Sequence, residues 1–518
     1  MIPRLLCAGL ALLVVRGARA QAPAAGGTLA VVTVDTRRTG PTIPRDFIGY
    51  SLEVSTAGQG IGSFQGANPF GAGPAAQSVY ALGRPGAPNQ GYFHLMHNLG
   101  AGILRLGGNS QDNTCWDRAQ APHPDACQAA LDSSDLALWA TAADASGWKL
   151  IVGLNLKQND PAWAVREVTE GIARAIPTRD VFALEPGNEP DLFGRTPYRS
   201  QPYTAADQAR EFVAYARLFW VHPVARAYGL AGPATCCGWR NPQDLDVFLA
   251  ATRGMPLKLV TVHNYSATTC NGQTVSIARL LSPELMARVD SEARDLARTA
   301  RAHRQPIRMA ETNSASCGGM PGVSNAFASA VWGLDYAFTL AHNGFVGVDF
   351  HTSYRPGGGS SYNPVDTYAR QDSAGAWQYR NVAEPLYYAL YLFANHASGA
   401  GRLPVTTEAQ GNVRAYAVSR CRACEVQVFV LNKDTAAAGP VRVHLARRMG
   451  EASLLLVAAP SLGSLAADVR YGGRQFDSDG DIGAPDPTVV GPDARGDYVF
   501  DLPNAAIAVL TVRPRGSR

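Results

Sequence analysis

Lys149-Leu150-Ile151-Val152-Gly153-Leu154-Asn155-Leu156, a helical pattern over Pro161–Ala175, and Val181-Phe182-Ala183-Leu184-Glu185-Pro186-Gly187-Asn188-Glu189 make one strand–helix–strand unit. Both strand segments are short apolar runs ending in polar or glycine residues, as strands buried on both faces of a parallel sheet do. The pattern extends in both directions. Further strand candidates are Phe47–Glu53, Gly102–Gly108, Leu230–Ala234, Leu257–Tyr265, Ile307–Ser314 and Gly347–Ser353. Helical patterns over Ala205–Tyr228, Pro283–His303 and Ser324–His342 lie between them. Eight such units in residues 37–395 predict an α/β fold, a (β/α)8 TIM barrel. An open doubly wound sheet is the competing arrangement. No Gly-x-Gly-x-x-Gly follows the first strand, which counts against it.

From residue 396 the texture changes. Helical periodicity stops, and short β-rich pieces follow at hairpin spacing: Val413–Ser419, Glu425–Leu431, Val441–Leu445, Ala452–Ala458, Tyr498–Leu502 and Ala506–Val512. Gly, Pro, Asp and Asn punctuate them, which predicts a C-terminal antiparallel β-sandwich domain over 396–518. Thr28–Val34 is a further strand-like piece before the first barrel strand, and residues 27–36 are expected to join the sandwich. The segment 54–90, rich in Gly, Ala, Pro, Gln and Asn, reads as a long loop over one barrel face.

A length of 518 residues exceeds one ordinary core, and an apolar fraction of 46% with interspersed charge describes a globular chain. Residues 1–20 read as a signal peptide, with Arg4 in a positive n-region, an apolar Leu5–Val15 and a small-x-small Ala18-Arg19-Ala20 cleavage site. Leu5–Val15 is too short to span ~30 Å of hydrocarbon. The expected location is therefore secreted or periplasmic. Cleavage after Ala20 removes three arginines and no acid, leaving 43 basic against 42 acidic residues, a net charge of +1. With no basic run, neither nucleic acid nor a membrane surface is an expected partner.

Cleavage also removes Cys7, leaving an even set of cysteines: 115, 127, 236, 237, 270, 317, 421 and 424. An even number in an exported chain favours disulfides. Cys421-Arg422-Ala423-Cys424 reads as a hairpin disulfide, since no second CxxC or nearby histidine completes a zinc site. Cys115 and Cys127 are expected to close a loop. The pairing among Cys236, Cys237, Cys270 and Cys317 stays open.

In a barrel enzyme the polar residues at the C-terminal ends of the strands face the substrate. Those ends carry Glu53, Gly108-Asn109-Ser110, Asn155, Asn188-Glu189, His263-Asn264-Tyr265, Glu311-Thr312-Asn313 and His351. Glu189 and Glu311 fall on the fourth and seventh strands, which face one another across the barrel mouth. Acetal hydrolysis with retention needs such a pair. One carboxyl is protonated to donate to the leaving oxygen, and one is ionised to attack the anomeric carbon, ~5–5.5 Å apart. Two unpaired surface carboxylates are the alternative, and their apolar neighbours argue against it.

Leu184-Glu185-Pro186-Gly187-Asn188-Glu189-Pro190 resembles the Asn-Glu-Pro signature of a large clan of retaining glycoside hydrolases. Met309-Ala310-Glu311-Thr312-Asn313-Ser314, followed by Gly318-Gly319 and Val323-Ser324-Asn325-Ala326-Phe327, resembles the nucleophile segment of glycoside hydrolase family 79. That family includes heparanase and microbial β-glucuronidases. Leu104-Arg105-Leu106-Gly107-Gly108-Asn109, Val152-Gly153-Leu154-Asn155-Leu156, His263-Asn264-Tyr265 and the stretch around Tyr471-Gly472-Gly473 extend the resemblance over nearly the whole chain.

The resemblance implies that Glu189 is the general acid/base and Glu311 the nucleophile. It further implies that Asn188 bonds the sugar 2-OH and that Tyr265 orients Glu311. Glu53 and Asn109 would hold other hydroxyls, and Tyr362 would line the −1 subsite. No cofactor and no metal are implied, and the partner is a carbohydrate, a β-glucuronide or related glycoside.

The chain departs from its resemblance at one place. Glucuronate-specific relatives bind the sugar carboxylate with a tyrosine five residues after the nucleophile and a glycine N–H two further on. Ser316 and Gly318 stand there. The expected activity is a retaining β-glucuronidase for glucuronic or 4-O-methylglucuronic acid glycosides. The alternatives are a retaining β-glycosidase for a neutral sugar and a non-catalytic carbohydrate-binding protein, which would have lost a carboxylate. A serine or cysteine hydrolase would need a nucleophile elbow at a strand end, and a metal-dependent hydrolase a third partner for His263 and His351.

Overall fold

The computed structural model describes residues 27–516 except 57–88, 197, 238–240, 354–359, 372, 374–376 and 422–423. Residues 1–20, read above as a signal peptide, and most of the 54–90 segment lie outside the described residues. Eight parallel strands close a barrel in sequence order. They are β1 (Ile48–Glu53), β2 (Ile103–Gly107), β3 (Lys149–Leu154), β4 (Val181–Pro186), β5 (Leu230–Thr235), β6 (Leu257–His263), β7 (Ile307–Thr312) and β8 (Gly347–His351). The fold class is thus the expected one. Six of the eight strands end earlier than the apolar run suggests, because their last residues turn into the loops that carry the site; β1 ends at Glu53 as expected and β5 runs one residue further, to Thr235.

A helix follows each strand. One of them, Pro242–Ala251, stands where the sequence shows no clear amphipathic period. The helix after β4 stops at Val221 rather than Tyr228. His222 precedes Pro223, and the proline ring disfavours helical geometry in the residue before it.

The barrel interior is layered. Ile103, Ile151, Ala183, Ala231 and Leu259 form an apolar plug at one level. Above it sit buried ion pairs, Arg105–Glu185 at 2.6 Å and Arg308–Asp349 at 2.6 Å. Gly49 and Gly347 make room for the second pair. A Cβ on Gly49 would lie 2.0 Å from Asp349 Oδ1, and one on Gly347 would lie 1.8 Å from Arg308 Nη1.

The C-terminal strands form two sheets. Strands Gly401–Leu403, Val413–Ser419, Val426–Asn432, Ala506–Val512, Ala452–Ala458 and Arg470–Tyr471 run in that order across one sheet, and Thr488–Val490 joins Ala452–Ala458 off the main path. Val405–Ala409, Ala30–Val34, Gly439–Leu445 and Tyr498–Leu502 form the other. Ala30–Val34 runs antiparallel to Val405–Ala409 but parallel to Gly439–Leu445. The otherwise antiparallel sandwich therefore contains one parallel pair, possible because this strand arrives from the far end of the chain rather than through a hairpin.

The larger sheet is buried on both faces. Val428, Val430, Ala508 and Leu510 pack toward Val32, Val34, Val441 and Val443 of the other sheet. On its opposite face, Tyr416 stacks on Phe338 of the barrel helix Phe327–Asn343 at 4.5 Å, and Phe429 meets the same ring at 4.9 Å. Lys433 and Tyr416 also reach the buried Asp335 of that helix. Deleting residues 396–518 would uncover this apolar face and strip Ala30–Val34 of both neighbours. The 1–395 fragment is expected in the insoluble fraction on expression, and a soluble, active 37–395 fragment would contradict this account.

Cys115–Cys127 and Cys421–Cys424 are disulfides, as expected, and Cys270–Cys317 resolves one of the open pairings. Among the described residues, no helix is long and apolar enough to cross a membrane.

Candidate active site

Beyond β4 the chain turns sharply, with Gly187 at φ 84° and Glu189 at φ 49°. A Cβ on Gly187 would stand 2.7 Å from Leu156 Cδ2, so glycine is needed for the turn to pass the β3 loop. Asp112 ties the strand ends together. Its carboxylate accepts N–H bonds from Asn188 at 2.8 Å, Leu156 at 2.7 Å and Lys157 at 3.2 Å. Glu189 N–H donates to Ala234 C=O at the end of β5, at 2.9 Å. These bonds hold the Glu189 backbone in a left-handed conformation that non-glycine residues rarely adopt.

Glu311 lies within β7, whose register slips against both neighbouring strands beyond Met309. Tyr265 Oη donates to Glu311 Oε1 at 2.9 Å, and Arg105 Nη1 donates to Oε2 at 3.0 Å. Arg105, fully buried on β2, also reaches Glu185, Ser51 Oγ at 3.1 Å and Asn188 Oδ1 at 2.9 Å. Because Arg105 occupies the Asn188 carbonyl oxygen, the amide NH2 of Asn188 remains to meet a ligand.

Single oxygens of Glu189 and Glu311 and a ring nitrogen of His263 all lie within 4.8 Å of one another. The carboxyl spacing is near the ~5–5.5 Å of retaining glycosidases and short of the ~6.5–9.5 Å of inverting ones. The two environments differ in sign. Burial, the nearby Glu311 charge and Asp191 push the Glu189 carboxyl up to about 8. Burial alone would raise Glu311 too, but His351, His263, Arg105 and the Tyr265 hydroxyl outweigh it and hold the carboxyl at about 2. Arg105 is the one among these whose charge does not vary with pH.

His263 Nδ1 sits 3.1 Å from Glu189 Oε1. Burial and the Arg105 charge lower this imidazole to about 4, so it is neutral beside the acid. The sequence leaves His263 without further metal-ligating partners, whereas the fold supplies Glu189 and Glu311. The Arg105 guanidinium already neutralises Glu311 at this point, which opposes a second cation.

The remaining sequence candidates fall into two groups. Tyr265 and Tyr362 line the site, with ring centroids 6.3 Å apart, and Tyr362 stands 6.1 Å from the His351 ring. Asn313 holds this wall, donating to the carbonyls of His351 at 2.9 Å and Tyr362 at 3.0 Å. Glu53 and Asn109 form the second group. Glu53 accepts from Asn109 N–H at 3.0 Å and from Ser110 N–H and Oγ at 2.7 and 2.6 Å, so it first anchors the loop after β2. The side chain of Asn109 is exposed.

Ser316 is likewise committed. Its Oγ donates to Thr268 Oγ1 at 2.8 Å across a two-residue strand pairing, beside the Cys270–Cys317 disulfide. Gly318 adopts φ +89°, and its carbonyl accepts from Ser361 N–H at 2.8 Å.

Arg105, Asp112, Asp191 and Cys236 were not among the strand-end candidates of the sequence, whereas Asn313 was. Only Arg105 carried a local signal, a cation inside the apolar run Leu104-Arg105-Leu106.

No family model matches the chain. A β-glucuronidase of Neurospora crassa is 27% identical over 343 residues, 58% of this chain and 59% of the relative. A heparanase of Gallus gallus is 27% identical over 243 residues, 46% of this chain and 44% of the relative. The matches therefore span less than two thirds of either relative. Among solved structures, a 4-O-α-L-rhamnosyl-β-D-glucuronidase of Fusarium oxysporum 12S superposes with a TM-score of 0.70 at 18% identity, over 92% of this chain and 100% of that one. A GH51 arabinofuranosidase of Xanthomonas axonopodis pv. citri gives 0.63 at 12%, over 94% and 100%. The chain has the barrel-and-sandwich fold of these glycosidases, and in sequence it resembles glycoside hydrolase family 79.

Proposed function

We propose that this chain is an exported retaining β-glycoside hydrolase, with β-linked glucuronic acid or its 4-O-methyl ether in the −1 subsite. The observation that carries the reading is the carboxyl pair within 4.8 Å, one proton-retaining and one ionised. Opposed environments of this kind separate an acid from a nucleophile at one pH. In the first step Glu311 attacks the anomeric carbon while Glu189 gives its proton to the departing oxygen. In the second, Glu189 takes a proton from water, which displaces Glu311 and restores the β configuration.

Tyr265 and Arg105 keep Glu311 aimed, and Asn188 bonds the 2-OH as positive charge develops on the ring. Tyr362 forms the subsite wall, while Glu53 and Asn109 border it. Residues 37–395 would be the catalytic unit, and 396–518 with the strand at 27–36 the accessory one. The signal segment and three disulfides support export.

The sugar assignment draws on the names of the relatives and on the glycine-rich turn after Glu311. There the Gly318 N–H makes no protein hydrogen bond among the described residues. A hydrogen bond to an ionised acceptor contributes ~1.5–3 kcal/mol, enough to prefer a uronate without a cation. A neutral sugar is the second reading, favoured by Ser316, whose hydroxyl is already bonded to Thr268.

The deciding experiment compares aryl β-glucuronide, 4-O-methylglucuronide, glucoside, galactoside and xyloside, with the product anomer followed by NMR. The β-anomer should appear first, and a uronide should give the highest kcat/KM. Faster cleavage of the glucoside or galactoside would select the neutral-sugar reading, and an initial α-anomer would exclude retention.

The pH profile follows from the same two carboxyls. Glu189 must hold its proton, so kcat/KM should fall as pH rises through about 8. Glu311 must be ionised, so the acid limb should lie below the ordinary glutamate range. A profile with its acid limb above pH 6 would refute this assignment of charges.

A further inference from the structure

Cys236 and Cys237 lie just beyond β5 and are the two described cysteines outside the three disulfides. Cys236 is buried and Cys237 is exposed. Both peptide N–H groups donate to Asp191, two residues after the acid. Cys236 N–H reaches Oδ1 at 3.1 Å, and Cys237 N–H reaches Oδ2 at 2.8 Å. The Cys236 thiol donates to Asp191 Oδ2 at 3.6 Å and is near enough to the Glu189 carboxyl and the Cys237 thiol to act on both. Every other cysteine in the described structure is oxidised, so an adjacent thiol pair against the acid is chemically out of place.

We propose that Cys236 and Cys237 form a redox modification site, oxidising to a vicinal disulfide that removes the Cys236 S–H donor at Asp191, beside Glu189. The proposal rests on reading Glu189 as the acid/base. The oxidant class is a small-molecule disulfide such as oxidised glutathione. The exposed Cys237 thiolate attacks it and forms a mixed disulfide, releasing one thiolate. Cys236, giving up its proton, then attacks the Cys237 sulfur and releases a second. Two electrons pass to the oxidant, and the two protons end on the two released thiols.

Adjacent Cα atoms are ~3.8 Å apart across a trans peptide, short of the ~4.4–6.8 Å that disulfides prefer. A vicinal bond is therefore strained and is the first of four to be reduced.

The consequence falls on the acid. Glu189 faces Glu311 from β7, Asp191 from its own loop, Arg105 from β2, His263 from β6 and Cys236 from beyond β5. The Cys236 S–H, held at Asp191, favours the ionised Glu189 carboxyl, and a disulfide has no proton to donate. Oxidation removes that contribution and leaves the other four groups in place.

The test uses the full chain, equilibrated with oxidised glutathione or with a low concentration of dithiothreitol. Thiols are alkylated and mapped by mass spectrometry, and kcat/KM is measured against pH in both states. After oxidised glutathione, the peptide holding Cys236 and Cys237 should be unalkylated and two hydrogens lighter. Mild reductant should expose these two thiols before any of the other six. The basic limb should lie higher in the oxidised form than in the reduced one. Cys237→Ser should keep the limb of the reduced enzyme and ignore oxidised glutathione.

Two alkylated cysteines after oxidation, a persistent glutathione adduct on Cys237, or limbs that coincide in the two states would each overturn the proposal. The thiol map is independent of turnover. If no glycoside is cleaved, the proposed function fails while the map still decides whether the disulfide forms.

Discussion

Glu311→Gln is expected to lower kcat/KM by roughly 10⁴-fold or more on every substrate, the largest effect of any single substitution in this chain. The amide keeps the shape and the Tyr265 contact but cannot attack the anomeric carbon. Glu189→Ala should behave differently. An activated phenol departs with little protonation, whereas a poor leaving group needs the acid. The loss should therefore be large for unactivated glycosides and modest for nitrophenyl ones. Azide should restore part of the rate by entering the space of the missing carboxylate. Steady-state kinetics over a leaving-group series checks both variants. A Glu189→Ala enzyme equally dead on all leaving groups and unrescued by azide would falsify the assignment of roles.

Arg105→Met should give the second largest effect, on stability as well as rate. The guanidinium is fully buried and balances Glu185 at 2.6 Å and Glu311 at 3.0 Å. Removing one partner of a buried ion pair leaves an uncompensated charge, at a cost of ~3–5 kcal/mol. Glu311 has its carboxyl depressed in the fold, to about 2. A depressed carboxyl contributes stability above its unfolded value near pH 4.5, lost as pH falls toward 2. Without Arg105 that contribution shrinks, so Tm at neutral pH should drop and the acid limb of kcat/KM should move upward. Arg105→Lys keeps the charge but not the fork that reaches Ser51, Glu185, Asn188 and Glu311 together. It should recover much of the stability and little of the rate. Thermal melts and pH–rate profiles at several pH values distinguish these outcomes, and an unshifted acid limb in Arg105→Met would remove Arg105 from the control of Glu311.

Both variants probe the same division of labour, in which local pattern places the carboxyls and distant residues set their charge. The strand runs around Val152 and Leu184 are apolar without alternation because both faces of a barrel strand are covered, and this is readable in one dimension. The positions of Glu189 and Glu311 follow, since each sits at the end of such a run on nearly opposite strands. Cys421–Cys424 and Cys115–Cys127 were also legible, as each closes a short loop.

What remained hidden depends on separations that no window spans. Asp112 acts 76 residues away on Asn188 N–H, and Arg105 acts 206 residues away on Glu311. Nothing near either residue says which carboxyl it will meet. The Cys270–Cys317 bond and the leftover neighbours Cys236 and Cys237 depend on which loops cross at the barrel mouth.

The strand–helix alternation, the barrel and the positions of the two carboxyls could be read in one dimension, because they rest on periodicity and on strand-end position. Folding alone set the partners of Glu53 and Ser316, which form hydrogen bonds within the protein. It also decided that Ala30–Val34 pairs in parallel with Gly439–Leu445 and that Glu189 and Glu311 titrate in opposite directions. Hydrogen-bond saturation, sheet partnership and the local field are each set by groups that the chain brings together only on folding.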